Sequence, residues 1–393
     1  MRICIASTNF PRWAGDFRVP FIYEAAKAVQ QQGHFVRVVT MHAPGAKEYE
    51  SFDGLEVVRL RYLPERWEVL QRDAAGIPAA WKANPWARLA LLPFALRFAQ
   101  GLAQHAADCD LIHANWTLSA MAAWVSAPFH RRPYLVTVQG SDIFTAPRIP
   151  LVKSFTRLAL NRAEHVLALS SALAQATVAL GVDATRVRVL PNGVNVQRFP
   201  FLPDVPRQPW IVFVGSLIER KGVRYLLQAM PIVLAECPTY RLIIIGEGEQ
   251  AAELQQLSQR LQLGDRVQFV GTQSQAQVGE WLRQARLFVL PSIEEGQGVV
   301  LLEALASGTP CVGSAVGGIQ DVITEAVGQL VPPQDATALA QAMITVLQAQ
   351  DWDRLSSNAR RRIEEVYDWK NLAMQLVSMY QQVLTHQVGA RRE

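Results

Sequence analysis

Short, nearly uninterrupted apolar runs alternate along the chain with longer stretches whose apolar residues recur at helical spacing. The runs include Ile3-Cys4-Ile5-Ala6, residues 35–40, Leu111-Ile112-His113, Leu135-Val136-Thr137-Val138, residues 165–169, 210–214, 241–245 and 267–270, and Leu287-Phe288-Val289-Leu290. Runs of this kind read as strands buried on both faces, as parallel sheets require. Helices are expected near 19–32, 86–98, 151–163, 171–179, 299–306, 335–349, 353–365 and 369–384. The alternation predicts an α/β chain with two mostly parallel sheets, each flanked by helices, and a ligand cleft between them. Pro200, Pro203, Pro206 and Pro209 crowd residues 199–209, a density that reads as a linker. The expected domains are 1–203 and 204–368, followed by a closing segment 369–393.

The most informative stretch is 286–320. Its strand ends at Pro291-Ser292. The loop Glu294-Glu295-Gly296-Gln297-Gly298 follows, then a helical run closed by Gly308, then a second strand at Cys311-Val312-Gly313. The loop therefore lies at the carboxyl end of a strand, the edge where open α/β sheets bind ligands. A helix starting at Gly298 offers unpaired N–H groups and the positive end of a dipole, which suit a diphosphate. Glu295 and Glu303, with seven residues between them, can each receive sugar hydroxyls. The ligand implied is a nucleotide sugar. The plainer alternative is an acidic loop followed by an ordinary amphipathic helix, and the surrounding glycines, Gly317-Gly318 included, weigh against it.

Size and composition narrow the rest. The 393 residues suit about two domains, and half apolar with 18% charged is ordinary for a globular protein. No apolar run is long enough to span a bilayer, and Met1 leads straight into a strand with no signal peptide expected. Cys4, Cys109, Cys237 and Cys311 are scattered; they read as buried thiols in a reducing compartment, here the cytoplasm, and not as a metal site. Residues 1–203 hold 22 Lys and Arg against 14 Asp and Glu, and residues 204–393 hold 16 against 20, so nets of +8 and −4 make up the chain's +4. The basic half could meet an anionic acceptor or membrane surface. No nucleic-acid role is expected. The first strand-to-helix turn lacks the G-x-G-x-x-G fingerprint, against a nicotinamide dehydrogenase. Asp108-Cys109-Asp110 has the Asp-x-Asp form of a metal site but precedes its strand, at the wrong end for a ligand. His113 and Asn115 stand at the other end, as does the segment Gln139-Gly140-Ser141-Asp142 after the next strand. Trp67, Trp81 and Trp86 precede an apolar run, 86–98, flanked by Arg88 and Arg97. That run reads either as a core-facing helix or as a surface for a lipid-linked acceptor or a membrane.

The stretch Pro291-Ser292, Glu295, Gly298, Glu303-Ala304, Gly308, Pro310 and Gly317-Gly318 resembles the Glu-x7-Glu region of family 4 retaining glycosyltransferases of the GT-B fold. Gly33-His34-x-Val-x-Val, Pro191-Asn192-Gly193-Val194-Asn195 and the Lys221-Gly222 pair extend the resemblance over nearly the whole chain. It implies two Rossmann-like domains, a last helix crossing back to the first, and sugar transfer with retention. Lys221 beside a helix start, with Asp108 and Asp110 misplaced for a metal, adds the expectation that no metal is needed. By the same resemblance Lys221, Glu295 and Gln139 are catalytic candidates. Donor binding would fall to Gly15, Ser216, Arg220, Lys221, Gly246, Gly271, Glu295, Gly298, Val299, Val300 and Glu303. Trp13, Asp16, His113, Asn115 and Asp142 would lie on the acceptor side. The partners implied are a nucleotide-sugar donor and a glycan or lipid-linked acceptor. Peripheral contact at the inner face of an anionic membrane is expected instead from the basic first half, the tryptophans, and Arg88 and Arg97 around the apolar run. Three positions depart from the pattern: Ser216 stands for Arg, Gln139 for His and Gln297 for Phe. Ser216 and Gln139 encourage one rival reading, a non-catalytic binding protein; a second is a nucleotide-sugar epimerase or hydrolase of the same fold.

Overall fold

A computed structural model describes residues 1–13, 16, 19–70, 77, 80, 84–145 and 150–390. Two compact units emerge. The first comprises residues 1–169, 173–190 and the chain from Trp369 on; the second comprises 170–172 and 191–368.

The first unit holds β1 (Arg2–Ser7), β2 (Phe35–Met41), β3 (Tyr49–Phe52), β4 (Leu55–Leu60), β5 (Leu111–Asn115), β6 (Tyr134–Val138), β7 (Val166–Ala168) and β8 (Val187–Val189). They form one sheet in the order β3-β4-β2-β1-β5-β6-β7-β8. Every pairing is parallel except β3 with β4. Successive side chains of β1 go to opposite faces, as the two-residue period demands. Ile3 and Ile5 join the core under the helices Pro20–Gln31 and Trp369–Ala390, and Cys4 and Ala6 join the core under Pro85–His105, Trp116–His130 and Pro150–Arg162. The antiparallel hairpin turns at Asp53-Gly54, both left-handed (φ 52° and 83°), the two-residue turn that Asp-Gly favours.

The second unit holds β9 (Trp210–Val214), β10 (Arg241–Ile245), β11 (Val267–Gly271), β12 (Leu287–Leu290), β13 (Cys311–Ser314) and β14 (Gly328–Val331), all parallel, in the order β11-β10-β9-β12-β13-β14. The proline-rich segment differs from the expected linker. Phe199 is fully buried in this unit's core, and Arg360 binds the carbonyls of Phe199 and Ala306, each at 2.9 Å. The Arg207 guanidinium also donates to the Ser307 carbonyl at 2.8 Å and the Thr309 hydroxyl at 3.0 Å; with Phe199 it anchors the segment to the second unit while the prolines stay exposed, and the division falls at 190/191, not at 203/204. The two ends of this long segment are tied together: Val194 forms a parallel bridge with Asp368 and donates its N–H to the Tyr367 carbonyl at 2.9 Å.

The helix expected at 86–98 runs over Pro85–His105. Asn84 caps it, accepting from the Trp86 N–H at 3.0 Å. Its inward side chains are Ala87, Ala90, Phe94, Phe98, Gly101 and Leu102. Trp81 lies outside the described residues.

Candidate functional site

In the second unit the strands run outward in both directions from the neighbours β9 and β12. The loops after those two strands therefore diverge, leaving the crevice where such sheets take ligands. Lys221 lies in the short turn Glu219–Lys221 after β9, and Glu295 in the loop after β12. Their side chains form an ion pair, both mostly buried. The buried Ser292 hydroxyl donates to the same Glu295 carboxylate at 3.3 Å. The Ile293 N–H donates to the Arg220 carbonyl at 2.7 Å, so the two loops are also joined through backbone. The side chains of Arg220 and Ser216 are exposed. Arg220 thus contributes its carbonyl to the scaffold and leaves its guanidinium in solvent.

The helix Val299–Ala306 starts at Gly298, whose φ of 80° turns the chain into it, and no side chain caps it. Its first N–H groups, those of Val299 and Val300 among them, have no intrahelical acceptor and face the loop's end of the helix. Such a terminus attracts an anion. Every residue from Leu301 to Ala306 is buried, including Glu303, because this helix packs deep in the unit's core. Gln275 Nε2 donates to Glu303 Oε1 at 3.3 Å. Gly317 presses on the Glu295 loop: a Cβ there would stand 1.7 Å from the Glu295 carbonyl oxygen. Gly246 and Gly271 end β10 and β11 at the same edge, joined by a 2.9 Å bond from the Gly246 N–H to the Gly271 carbonyl. Gln297 is buried and exchanges two bonds with the backbone of one residue: the Asn192 N–H donates to its Oε1 at 2.8 Å, and its Nε2 donates to the Asn192 carbonyl at 2.9 Å. At this position the chain has a hydrogen-bonded clasp where the family pattern has an aromatic ring.

The first unit has the same topological feature between β1 and β5. Trp13, after β1, is exposed, with the Arg12 guanidinium 4.0 Å over its ring. Asp16 accepts from the Arg12 side chain at 2.8 Å and its N–H at 3.0 Å. Gly15 lies outside the described residues. Asn115 ends β5, and Gln139 after β6 donates to its Oδ1 at 3.3 Å. Asp142 accepts from the N–H groups of Thr117, Gln139 and Gly140 at 3.0–3.1 Å. Burial pushes its carboxyl above the ordinary range, and those N–H groups pull it part of the way back. Asp142 therefore organises the turn that carries Gln139. His113 points into the core, not toward the loops. Its Nδ1 meets the Tyr380 hydroxyl and its Nε2 the Thr137 hydroxyl, both at 2.7 Å, and burial lowers its pKa to about 3.

Two residues here carry no motif. Trp116, just after Asn115, has φ 64°, a strained conformation for a bulky residue and one that clusters at functional sites. Arg59, fully buried in β4, donates to the carbonyls of Pro11 at 2.8 Å and Lys47 at 3.0 Å, and so holds the segment before Trp13. Its place in an apolar run was the available signal. Asp108 and Asp110 sit at the opposite, amino-terminal edge, where Arg2 binds both and Arg37 binds Asp108. Among the described residues no group of three or more His, Cys, Asp or Glu is placed to hold a metal ion, and no helix is long and apolar enough to cross a membrane.

Known proteins resemble this chain in sequence and fold. Residues 20–198 match the family described as Glycosyltransferase Family 4, and residues 199–365 match Glycosyl transferases group 1. The glycosyltransferase TuaC of Bacillus subtilis (strain 168), named for teichuronic acid biosynthesis, is 30% identical over 290 residues, 70% of this chain and 71% of TuaC. Sucrose-phosphate synthase from Thermosynechococcus elongatus is 26% identical and superposes with a TM-score of 0.80, covering 98% of this chain and all of that one. HepE from Anabaena, solved in complex with UDP, shares the fold at a TM-score of 0.75 and 20% identity over 97% of this chain and all of that one. With the twin parallel sheets and the loop that carries Glu295 and Glu303, these matches place the chain among the GT-B glycosyltransferases of family 4.

Proposed function

We propose that this protein transfers a sugar from a nucleoside diphosphate sugar to a glycan or lipid-linked glycan, with retention at the anomeric carbon and without a metal ion, in the synthesis of a surface polysaccharide or glycolipid. The observation that carries this reading is the switch point of the second sheet, where Lys221, Glu295 and an uncapped helix start converge. A departing diphosphate gains negative charge, and fixed cations and dipoles aimed at it supply the largest part of such catalysis. Lys221 and the N–H groups of Val299 and Val300 fill that role, with Glu295 orienting the ammonium and taking a donor-sugar hydroxyl. Glu303 takes the ribose hydroxyls. The new bond from the acceptor oxygen forms on the face from which the diphosphate leaves, and the acceptor's proton passes to a phosphate oxygen of the leaving group. Gln139 contributes hydrogen bonds but cannot hold a proton charge. HepE's complex with UDP supports a nucleotide ligand on this fold.

The test is a panel of nucleotide sugars incubated with candidate acceptors, with diphosphate release and the product's anomeric configuration followed in the presence of chelator. Acceptor-dependent release with a retained configuration is expected. Lys221→Ala should lower turnover on the order of 100-fold. Release without acceptor would instead favour an epimerase or hydrolase, and binding without release a non-catalytic protein, the reading to which the exposed Ser216 lends weight. Activity lost to chelator and restored by magnesium or manganese would remove the metal-free mechanism.

A further inference from the structure

Three helices lie side by side on one face of the first unit's sheet: Pro85–His105, Trp116–His130 and Pro150–Arg162. Their inner sides fill the core, yet their outer sides are apolar too. Leu89, Leu92 and Leu96 are each at least 65% exposed, and their spacing places them on one stripe of the first helix. Trp86 stands at its start, 70% exposed. Val125 and Phe129 continue the surface on the second helix, and Phe155 and Leu158 on the third; Phe129 is 76% exposed. The Trp124 and Phe155 rings, 6.4 Å apart, bridge the last two helices. Isolated exposed apolar side chains are ordinary on a soluble surface, but rows on adjoining helices mark a contact site.

Charge identifies the occupant. The three helices contain no Asp or Glu, and they carry Arg88, Arg97, Lys153, Arg157 and Arg162. A second copy docking through the same face would bring like charges together. Cations beside an apolar face match phospholipids, whose headgroups offer negative charge and whose acyl boundary accepts leucine and aromatic side chains. We propose that this three-helix face docks on the surface of an anionic phospholipid bilayer, lying along it without crossing. The inference does not rest on the transferase reading, since it uses none of the site's residues.

The test is sedimentation of the full chain with phosphatidylcholine vesicles, with and without phosphatidylglycerol. Binding to the anionic vesicles is expected at low salt and should weaken near 1 M salt, where the screening length shrinks to about 3 Å. Lys153→Gln with Arg157→Gln should weaken it about 25-fold, a factor of about five for each lost cation. Leu92→Glu with Leu96→Glu should weaken it at least about tenfold. Arg241→Gln with Arg354→Gln, on the other unit, should leave it unchanged. All these side chains are exposed or partner only surface groups, and unchanged thermal melting checks that the variants fold. Absence of binding to anionic vesicles at low salt, or equal binding by all variants, overturns the proposal. So does self-association that Leu92→Glu with Leu96→Glu abolishes while vesicle binding is absent.

Discussion

Glu295 and Glu303 share a motif but not an environment. Glu295 is bound to Lys221 and Ser292 in a loop, whereas Glu303 is buried in a helix beside Gln275. Glu303→Gln should weaken nucleoside diphosphate binding by about 1.5–3 kcal/mol, the scale of a hydrogen bond to a charged group. Glu295→Gln should spare that binding and lower turnover. Calorimetry on both variants checks the division, and equal losses would refute it. His113 yields a pH prediction. Its pKa is about 3 in the fold against about 6.5 when unfolded, so between those values the unfolded chain binds one more proton. The fold therefore loses stability as pH falls below about 6.5, by about 1.4 kcal/mol per pH unit, or about 2 kcal/mol at pH 5. Urea midpoints at pH 7 and pH 5 should differ less in His113→Gln than in the parent protein. The position of His113 at the end of an apolar run suggested a place by the loops. Its partner Tyr380 is 267 positions away, a separation that no local pattern reports. The Gln297 clasp on Asn192, 105 positions away, was hidden for the same reason.

At the scale of elements, most of the parallel strands were legible because burial on both faces leaves an unbroken apolar run; β4, β8 and β14 were not read. The edge strand β3, Tyr-Glu-Ser-Phe, is partly exposed and leaves no such run, so it was not read from the sequence. The helix Pro85–His105 was legible as apolar but not as two-faced, because periodicity cannot show which of two apolar sides meets the core. The Glu295 loop depends on a second element, the turn at Gly317-Gly318. With φ 49° and a Cβ that would stand 1.7 Å from the Glu295 carbonyl oxygen, Gly317→Ala must push the two loops apart. We expect nucleoside diphosphate binding to fall more than about tenfold and stability to fall on the order of 1–3 kcal/mol. Binding that survives in this variant, measured by calorimetry beside a thermal melt, would show that the loops act independently.

At the scale of the whole molecule, the charge difference between the two halves was readable by counting, but the boundary was not. Prolines marked a linker by composition, while the buried Phe199 and the reach of Arg360 decide where the second unit begins. The Val194–Asp368 bridge has a further meaning in terms of cutting and joining. The long segment 191–368 is an insert whose two ends already touch, so excising it opens no loop that the rest of the chain was holding closed. Residues 191–368 expressed alone should unfold in one cooperative transition and bind nucleoside diphosphate with a Kd within about tenfold of the full chain's. A fragment that stays unfolded would refute this. The first unit has no such freedom. It is assembled from both ends of the chain, and a cut after Asp368 takes away Tyr380 and strands His113 in the core with one partner. One half of the molecule is a portable part, and the other needs both ends of the chain.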